Sequence, residues 1–338
     1  MPRPSADILA CRALLCSGSR SFHAASLLLP RRLRDPATAL YAFCRVADDA
    51  IDLGDDKCAA LVGLRARLDA AYAGAPADSA VDRAFAGMVA AYAIPRALPE
   101  ALIEGLAWDS QGRRYEDFPA LLDYAARVAG AVGVMMALLM GVRDGDSLAR
   151  AADLGVAMQL TNIARDVGED AQAGRLFLPL DWLTDAGIEA EAFLAVPAFT
   201  PALAAVVQRL LGEAEILYAR AAGGIARLPR RCRTGIAAAR RIYAAIGADV
   251  AAAGYDSVTR RARVNGRRKL TLALLALGDA FSNAQIHAPA LPANVFLLRA
   301  AEAAAWAPEP NAINKLLNLF ERLERAQRDA ATAGQRLA

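Results

Sequence analysis

Along most of this chain apolar residues return every three or four positions, between clusters of proline and glycine. That spacing gathers them on one face of an α-helix. It predicts helices over 5–17, 36–53, 57–73, 79–92, 98–111, 119–140, 147–170, 201–226, 233–252, 267–285 and 310–332. The breaks carry residues that start or stop helices, among them Pro36, Gly54, Pro95, Gly112, Gly174, Pro229 and Gly254. No run of Val, Ile, Thr or Tyr alternates cleanly over six residues, so strands are not expected. No repeat of solenoid type is present. The expected fold class is all-α, a single-domain helical bundle over 1–325, followed by a disordered tail, "AQRDAATAGQRLA", over 326–338.

Composition supports helix: aromatics are only 6% of a chain that is 56% hydrophobic. The longest uncharged run, "VAGAVGVMMALLMGV" over 128–142, falls short of the roughly 20 residues a membrane-spanning helix needs. It is expected to lie inside a soluble core. The N-terminus is not a secretory signal, because Asp7 and Arg12 interrupt any apolar core. A net charge of +3 gives no case for nucleic-acid binding. Arginines do crowd "PRRCRTG" (229–235) and "TRRARVNGRRK" (259–269). Five cysteines without CxxC spacing indicate a reducing, cytoplasmic setting with no disulfide framework and no zinc site. His23 and His287 are the only histidines, which argues against a histidine triad or a His-rich metal site.

Two acidic clusters stand out against this apolar background. "ALYAFCRVADDAIDLG" (39–54) puts Asp48 and Asp52 on one helical face, and "AMQLTNIARDVGEDAQAGR" (157–175) steps Asn162, Asp166 and Asp170 along another, with Gln159 beside them. Both lie near helix C-termini, where a negative charge is disfavoured by roughly 0.3–1 kcal/mol. Two carboxylates about 6 Å apart repel by roughly 3 kcal/mol at an effective dielectric near 20. Local stability would not choose this pattern twice, so a positive partner is expected. Carboxylate and amide oxygens without His or Cys suit hard ions such as Mg²⁺, which complete their shell with water and phosphate oxygens. Arg45 and Arg165, adjacent to these acids, could bind phosphate in bidentate fashion. Solvated acidic helix ends would be the plainer explanation, but the same segments are apolar enough to border a core.

"YAFCRVADDAID" and "QLTNIARDVGED" resemble the two aspartate-rich motifs of the squalene and phytoene synthases. The resemblance continues in "GSRSFHAASLLLP" (18–30), "GLAWDSQGRRYEDFPALLDYAARVAGAVG" (105–133), "GRLFLPLDWL" (174–183) and "RIYAAIGADVAAAGYD" (241–256). Within the family, "LYAFCRVADD" and "NIARDVGEDAQAGRLFLP" look most like the bacterial phytoene-forming members. It implies the all-α isoprenoid-synthase fold around an apolar cavity, and head-to-head joining of two geranylgeranyl diphosphates. It implies Mg²⁺ or Mn²⁺ as cofactor, held by Asp48, Asp52, Asn162, Asp166 and Asp170. NADPH is not expected, since the phytoene-forming reaction ends by loss of a proton. Ser19, Arg20, Ser21, Tyr41, Arg45, Gln159, Asn162, Arg165 and Tyr243 match positions near the diphosphates. Arg267 and Arg268 fall in a basic segment of the family. Asp48, Asp52, Asp166, Asp170, Tyr41, Arg45 and Arg165 are the expected catalytic set. An oily substrate and product make peripheral contact with the cytoplasmic membrane face an expectation as well. Formation of squalene or a C30 precursor, or lipid binding without catalysis, are the alternatives.

Overall fold

Short polar side chains placed ahead of apolar runs start most of the helices. The computed structural model describes residues 5–52, 54, 56–279 and 288–305. In chain order it contains α1 (Ala6–Gly18), α2 (Arg20–Ser26), α3 (Arg31–Asp52), α4 (Lys57–Tyr72), α5 (Ala80–Tyr92) and α6 (Ala97–Ser110). Then α7 (Phe118–Ala125) passes through a π-helical turn (Ala126–Gly130) into α8 (Ala131–Leu139). α9 (Gly145–Gln172) is the longest helix described. It is followed by α10 (Leu180–Asp185), α11 (Ala190–Ala195), α12 (Pro201–Ile225), α13 (Arg230–Ala252), α14 (Gly266–Asp279) and α15 (Val295–Ala305). Among the described residues there is no strand. Side-chain caps recur: Ser79 accepts the Asp82 N–H at 3.1 Å, Asp144 that of Ser147 at 2.9 Å, and Thr200 that of Leu203 at 3.1 Å. Each such cap is worth about 1 kcal/mol.

Two long helices organise the molecule. α3 packs against α1, α5 and α6, burying Leu33, Ala37, Leu40, Phe43, Ala47 and Ile51. Its hold on α5 includes the stacked rings of Phe43 and Phe85, 3.8 Å apart at their centroids. α9 packs against α12, α13 and α8. Glycines let these backbones close up: a Cβ on Gly133 would lie 2.2 Å from the Ala151 carbonyl, and one on Gly155 2.2 Å from that of Ala129.

The departures from the sequence reading have local causes. α3 starts at Arg31, not 36, so Pro36 lies inside it. Proline there forfeits one amide donor, and the buried stripe on both sides of it carries the helix through. α2, α10 and α11 have only six or seven residues, too few to show a period. α15 is a further helix that the spacing does not predict; it follows a 3₁₀ turn at Pro292–Asn294, and the prolines around it read as a loop. The helix expected over 119–140 is observed, with its π turn, from Phe118 to Leu139, and the whole of it, unlike the uncharged run over 128–142, is long and apolar enough to cross a membrane by length and composition. Burial marks it as a core helix instead, with 61% of its most apolar window inside the fold. All five cysteines are unpaired. The helix expected at 310–332, the end of that at 267–285 and the tail over 326–338 lie outside the described residues.

Candidate active site

α3 and α9 point their acids into one cavity of about 500 Å³. Asp48 and Asp52 enter it from α3; Gln159, Asn162, Asp166 and Asp170 enter from α9. Of the other expected residues, Ser19, Tyr41, Arg45, Arg165 and Tyr243 also line its walls. The two ladders face each other closely enough to share one guanidinium. Arg175 reaches Asp52 at 2.7 Å with Nη1 and Asp170 at 3.3 Å with Nη2. The end of α9 aims this arginine. Gly174 adopts a left-handed conformation at φ 73°, and the Arg175 N–H turns back to the Asp170 carbonyl at 2.8 Å.

The acids are not equivalent. Asp166 is largely withdrawn from solvent, which alone would raise its pKa. Bidentate contacts from Arg165 and Arg261 outweigh burial and hold it below the ordinary value. Asp170 has only part of Arg175, and burial with Asp166 nearby pushes it up to about 7. Asp48 is pushed up to about 6 by burial and by Asp52. The nearest arginine, Arg45, is engaged elsewhere, contacting Asp49 at 2.5 and 3.0 Å while staying 3.7 Å from Asp48. The chamber thus holds negative charge that its own cations do not neutralise.

The remaining walls are aromatic and hydroxylic. Ser19 caps α2 by accepting the Phe22 N–H at 3.2 Å, and its side chain also hydrogen-bonds Tyr243. Tyr41 stacks on Phe22 with centroids 5.4 Å apart, and burial pushes its hydroxyl up to about 12. That hydroxyl fits because residue 18 is glycine: a Cβ there would lie 2.5 Å from it. Arg20 and Ser21 open α2, and their side chains lie outside the described residues. Arg267 and Arg268 do not line this cavity. Arg268 turns to Asp249 on α13.

A second cavity, about 210 Å³ and almost wholly apolar, continues from the first. Val128, Gln159, Asn162 and Tyr243 line both. The π turn brings Val128 and Ala129 to this wall, an insertion of the kind that often marks functional sites. From the apolar run over 128–142, Gly133, Met136 and Met140 line this cavity, while Gly130 and Met135 do not.

This pairing of an acidic chamber with an apolar one is carried by a recognisable sequence. The squalene/phytoene synthase family model matches residues 15–269. The chain belongs to the squalene/phytoene synthase family. A phytoene synthase from Cereibacter sphaeroides is 51% identical over 96% of this chain and 95% of that one. One from Rhodobacter capsulatus is 57% identical over 79% of this chain and 80% of that one. Among solved structures, a dehydrosqualene synthase in complex with ligand superposes with TM-score 0.75 at 31% identity, covering 80% of this chain and 95% of that one. These findings put the chain among prenyltransferase-type enzymes.

For this squalene/phytoene synthase family member, four wall residues escaped the sequence reading. Arg175 sits in the quoted stretch "GRLFLP" without a charge pattern to single it out. Arg261 sits six residues before Arg267, in the same basic segment. It reaches Asp166 because the chain crosses α9 at Gly168, whose N–H meets the Ser257 carbonyl at 2.9 Å. Asp109 and Tyr124 come from α6 and α7, and the tyrosine donates to the carboxylate at 2.8 Å. Burial pushes Asp109 up to about 7, and its other oxygen has no hydrogen-bond partner. Nothing local to either residue announces the pair.

Proposed function

We propose that the chain is a 15-cis-phytoene synthase. It would join two geranylgeranyl diphosphates head to head through prephytoene diphosphate, a cyclopropylcarbinyl diphosphate, and release diphosphate without using NADPH. The observation that carries this reading is the direct opening of the acidic chamber onto the apolar one, through residues common to both. An anionic head and a hydrocarbon tail need those two environments side by side.

The donor set of the acidic chamber fits hard divalent cations. It offers carboxylate and amide oxygens, two of its acids are left short of positive charge, and an Asp109 oxygen is buried without a partner. Among the described residues no three acids close into a cation cage. The oxygen donors themselves suit Mg²⁺ or Mn²⁺, which takes one or two carboxylates and fills the rest of its shell from water and phosphate. Asp48, Asp52, Asn162, Asp166 and Asp170 would hold such ions, which supply positive charge against the departing diphosphate. Arg45, Arg165 and Arg261 add fixed positive charge on the same side. Gln159, Asn162 and Tyr243 stand at the junction of the chambers and orient the carbon that parts from its diphosphate. Val128, Met136, Met140, Leu154 and Met158 keep water from the cationic chain. The final proton can leave with the released diphosphate, which the hydroxyls of Tyr41 and Tyr243, kept protonated by burial, can orient by hydrogen bonding.

The likeness to a dehydrosqualene synthase favours one second reading, a shorter C30 product on the same site. Product analysis separates the two. With labelled geranylgeranyl diphosphate and Mg²⁺, phytoene and diphosphate are expected with or without NADPH. Efficient turnover of farnesyl diphosphate alone, or a product that requires NADPH, would overturn the assignment.

A further inference from the structure

α14 is built inside out. Its small residues face the protein: Ala276 is buried, and with Ala273 it packs on Ile225, Ala237 and Ala238. Leu272 also packs inward, beside Ala245, Ile246 and Val264, but Leu270 (63% exposed), Leu274 (59%) and Leu277 (49%) face away. Steps of four and three residues put these leucines on one stripe. A helix at the surface of a globular protein ordinarily turns such a stripe inward, so this one calls for an apolar partner.

The surroundings select the partner. Residues 257–278 contain Arg260, Arg261, Arg263, Arg267, Arg268 and Lys269 and no acid at all. Arg261 turns into the acidic chamber and Arg268 to Asp249, while Arg260, Arg263 and Arg267 are exposed. Leucines beside a band of arginines suit the boundary between acyl chains and anionic headgroups. A second copy of the chain would bring like charges together across a two-fold axis. A groove of about 1080 Å³ between α2 and α14 has the exposed Leu27, Leu28 and Leu270 on its walls. Ser19, Arg165 and Arg261 line both this groove and the acidic chamber.

We propose that the outer face of α14 rests on an anionic bilayer, with the groove leading from the headgroup layer to the acidic chamber. The direction of traffic rests on the reading of the substrate as a prenyl diphosphate; the contact itself does not. The test uses the full chain without substrate. The Leu274→Trp variant should float with phosphatidylglycerol-rich vesicles at low salt, with blue-shifted emission quenched by brominated acyl chains. Combining Leu270→Ser, Leu274→Ser and Leu277→Ser should lower vesicle binding at least about tenfold while helical circular dichroism is kept. An emission spectrum of the Leu274→Trp variant that ignores the vesicles, as it would if residues 306–338 covered the face, overturns the proposal. So does a triple variant that floats like the parent, or one whose main change is in association state. Because no turnover is read, failure here is separate from failure of the proposed reaction.

Discussion

The ladders on α3 and α9 share a four-residue step but stand in opposite electrostatic settings. On α9 the middle rung, Asp166, is gripped by two arginines and stays ionised easily. On α3 the corresponding rung, Asp48, loses its arginine to Asp49 and resists ionisation. The far rungs, Asp52 and Asp170, divide a single guanidinium. Asp166 is therefore anchored by its own protein, while Asp48 on α3 and Asp170 at the far end of α9 wait for charge from outside. The same motif spacing can build an arginine-paired rung and an uncompensated one, and the difference lies in which arginines reach each carboxylate.

The strongest way to break this comparison is to neutralise one rung at a time. Asp48→Asn and Asp166→Asn should each cost on the order of 10²–10³-fold in turnover, the range for losing one group that stabilises developing charge. Their effects on folding should differ. Asp166→Asn leaves Arg165 and Arg261 without their shared partner and should cost about 1–3 kcal/mol in a metal-free denaturant titration. Asp48→Asn removes a carboxylate that is disfavoured where it stands, so stability should hold or rise. Near-normal turnover in either variant, or equal losses of stability, would remove the distinction.

That distinction shows what the sequence could disclose. Periodicity revealed α3, α12 and α13 because each buries mainly one face; α9, buried on every side over 152–157, showed instead as a long run without proline. Periodicity also revealed the rungs because Asp48 and Asp52, or Asp166 and Asp170, keep their spacing within one helix. The partners of those rungs are fixed by tertiary packing: Arg261 lies 95 residues beyond Asp166, and Arg175 lies 123 beyond Asp52. Asp109 and Tyr124 meet only when α6 and α7 pack, so no window of sequence contains their geometry. The choice of Arg267 and Arg268 over Arg261 has the same cause. Charge density pointed to the segment, but the crossing at Gly168 decided which arginine turns inward.

Acidity gives a subtler test. Asp170 rises from an ordinary 3.8 to about 7, chiefly through burial, against the pull of Arg175. Between those values the native chain binds a proton that the unfolded chain has lost. Its ionisation therefore costs nothing below about pH 4, and the full cost is present above about pH 7. Asp48 acts in the same direction up to about pH 6, moderated because nearly half of its side chain is open to solvent. Asp166 acts in the opposite sense, since its stabilisation is lost as pH falls through its depressed native value. Protons should compete with Mg²⁺ for the weakly compensated rungs. The Mg²⁺ concentration giving half of its thermal stabilisation should rise about tenfold per pH unit below pH 7 if one proton is displaced. A midpoint equal at pH 6 and pH 8 would show that Asp170 and Asp48 are already ionised in the metal-free protein.

The smallest expected effect sharpens the comparison from the cationic side. Arg261→Ala in a detergent-solubilised assay should cost about tenfold in kcat/KM, the loss of one charge-assisted contact of roughly 1.5 kcal/mol. Arg267→Ala should change it less than about twofold, as expected for a surface substitution within 0.5 kcal/mol. Arg261 spans Asp166 and Glu169 with contacts of 2.7 to 3.2 Å, whereas Arg267 is exposed and outside the acidic chamber. The reverse ranking would mean that the segment over 260–269 closes over bound diphosphate and exchanges one arginine for another. The anchoring of the α9 ladder would then be a property of the empty chamber alone, and the contrast with α3 would vanish once substrate is bound.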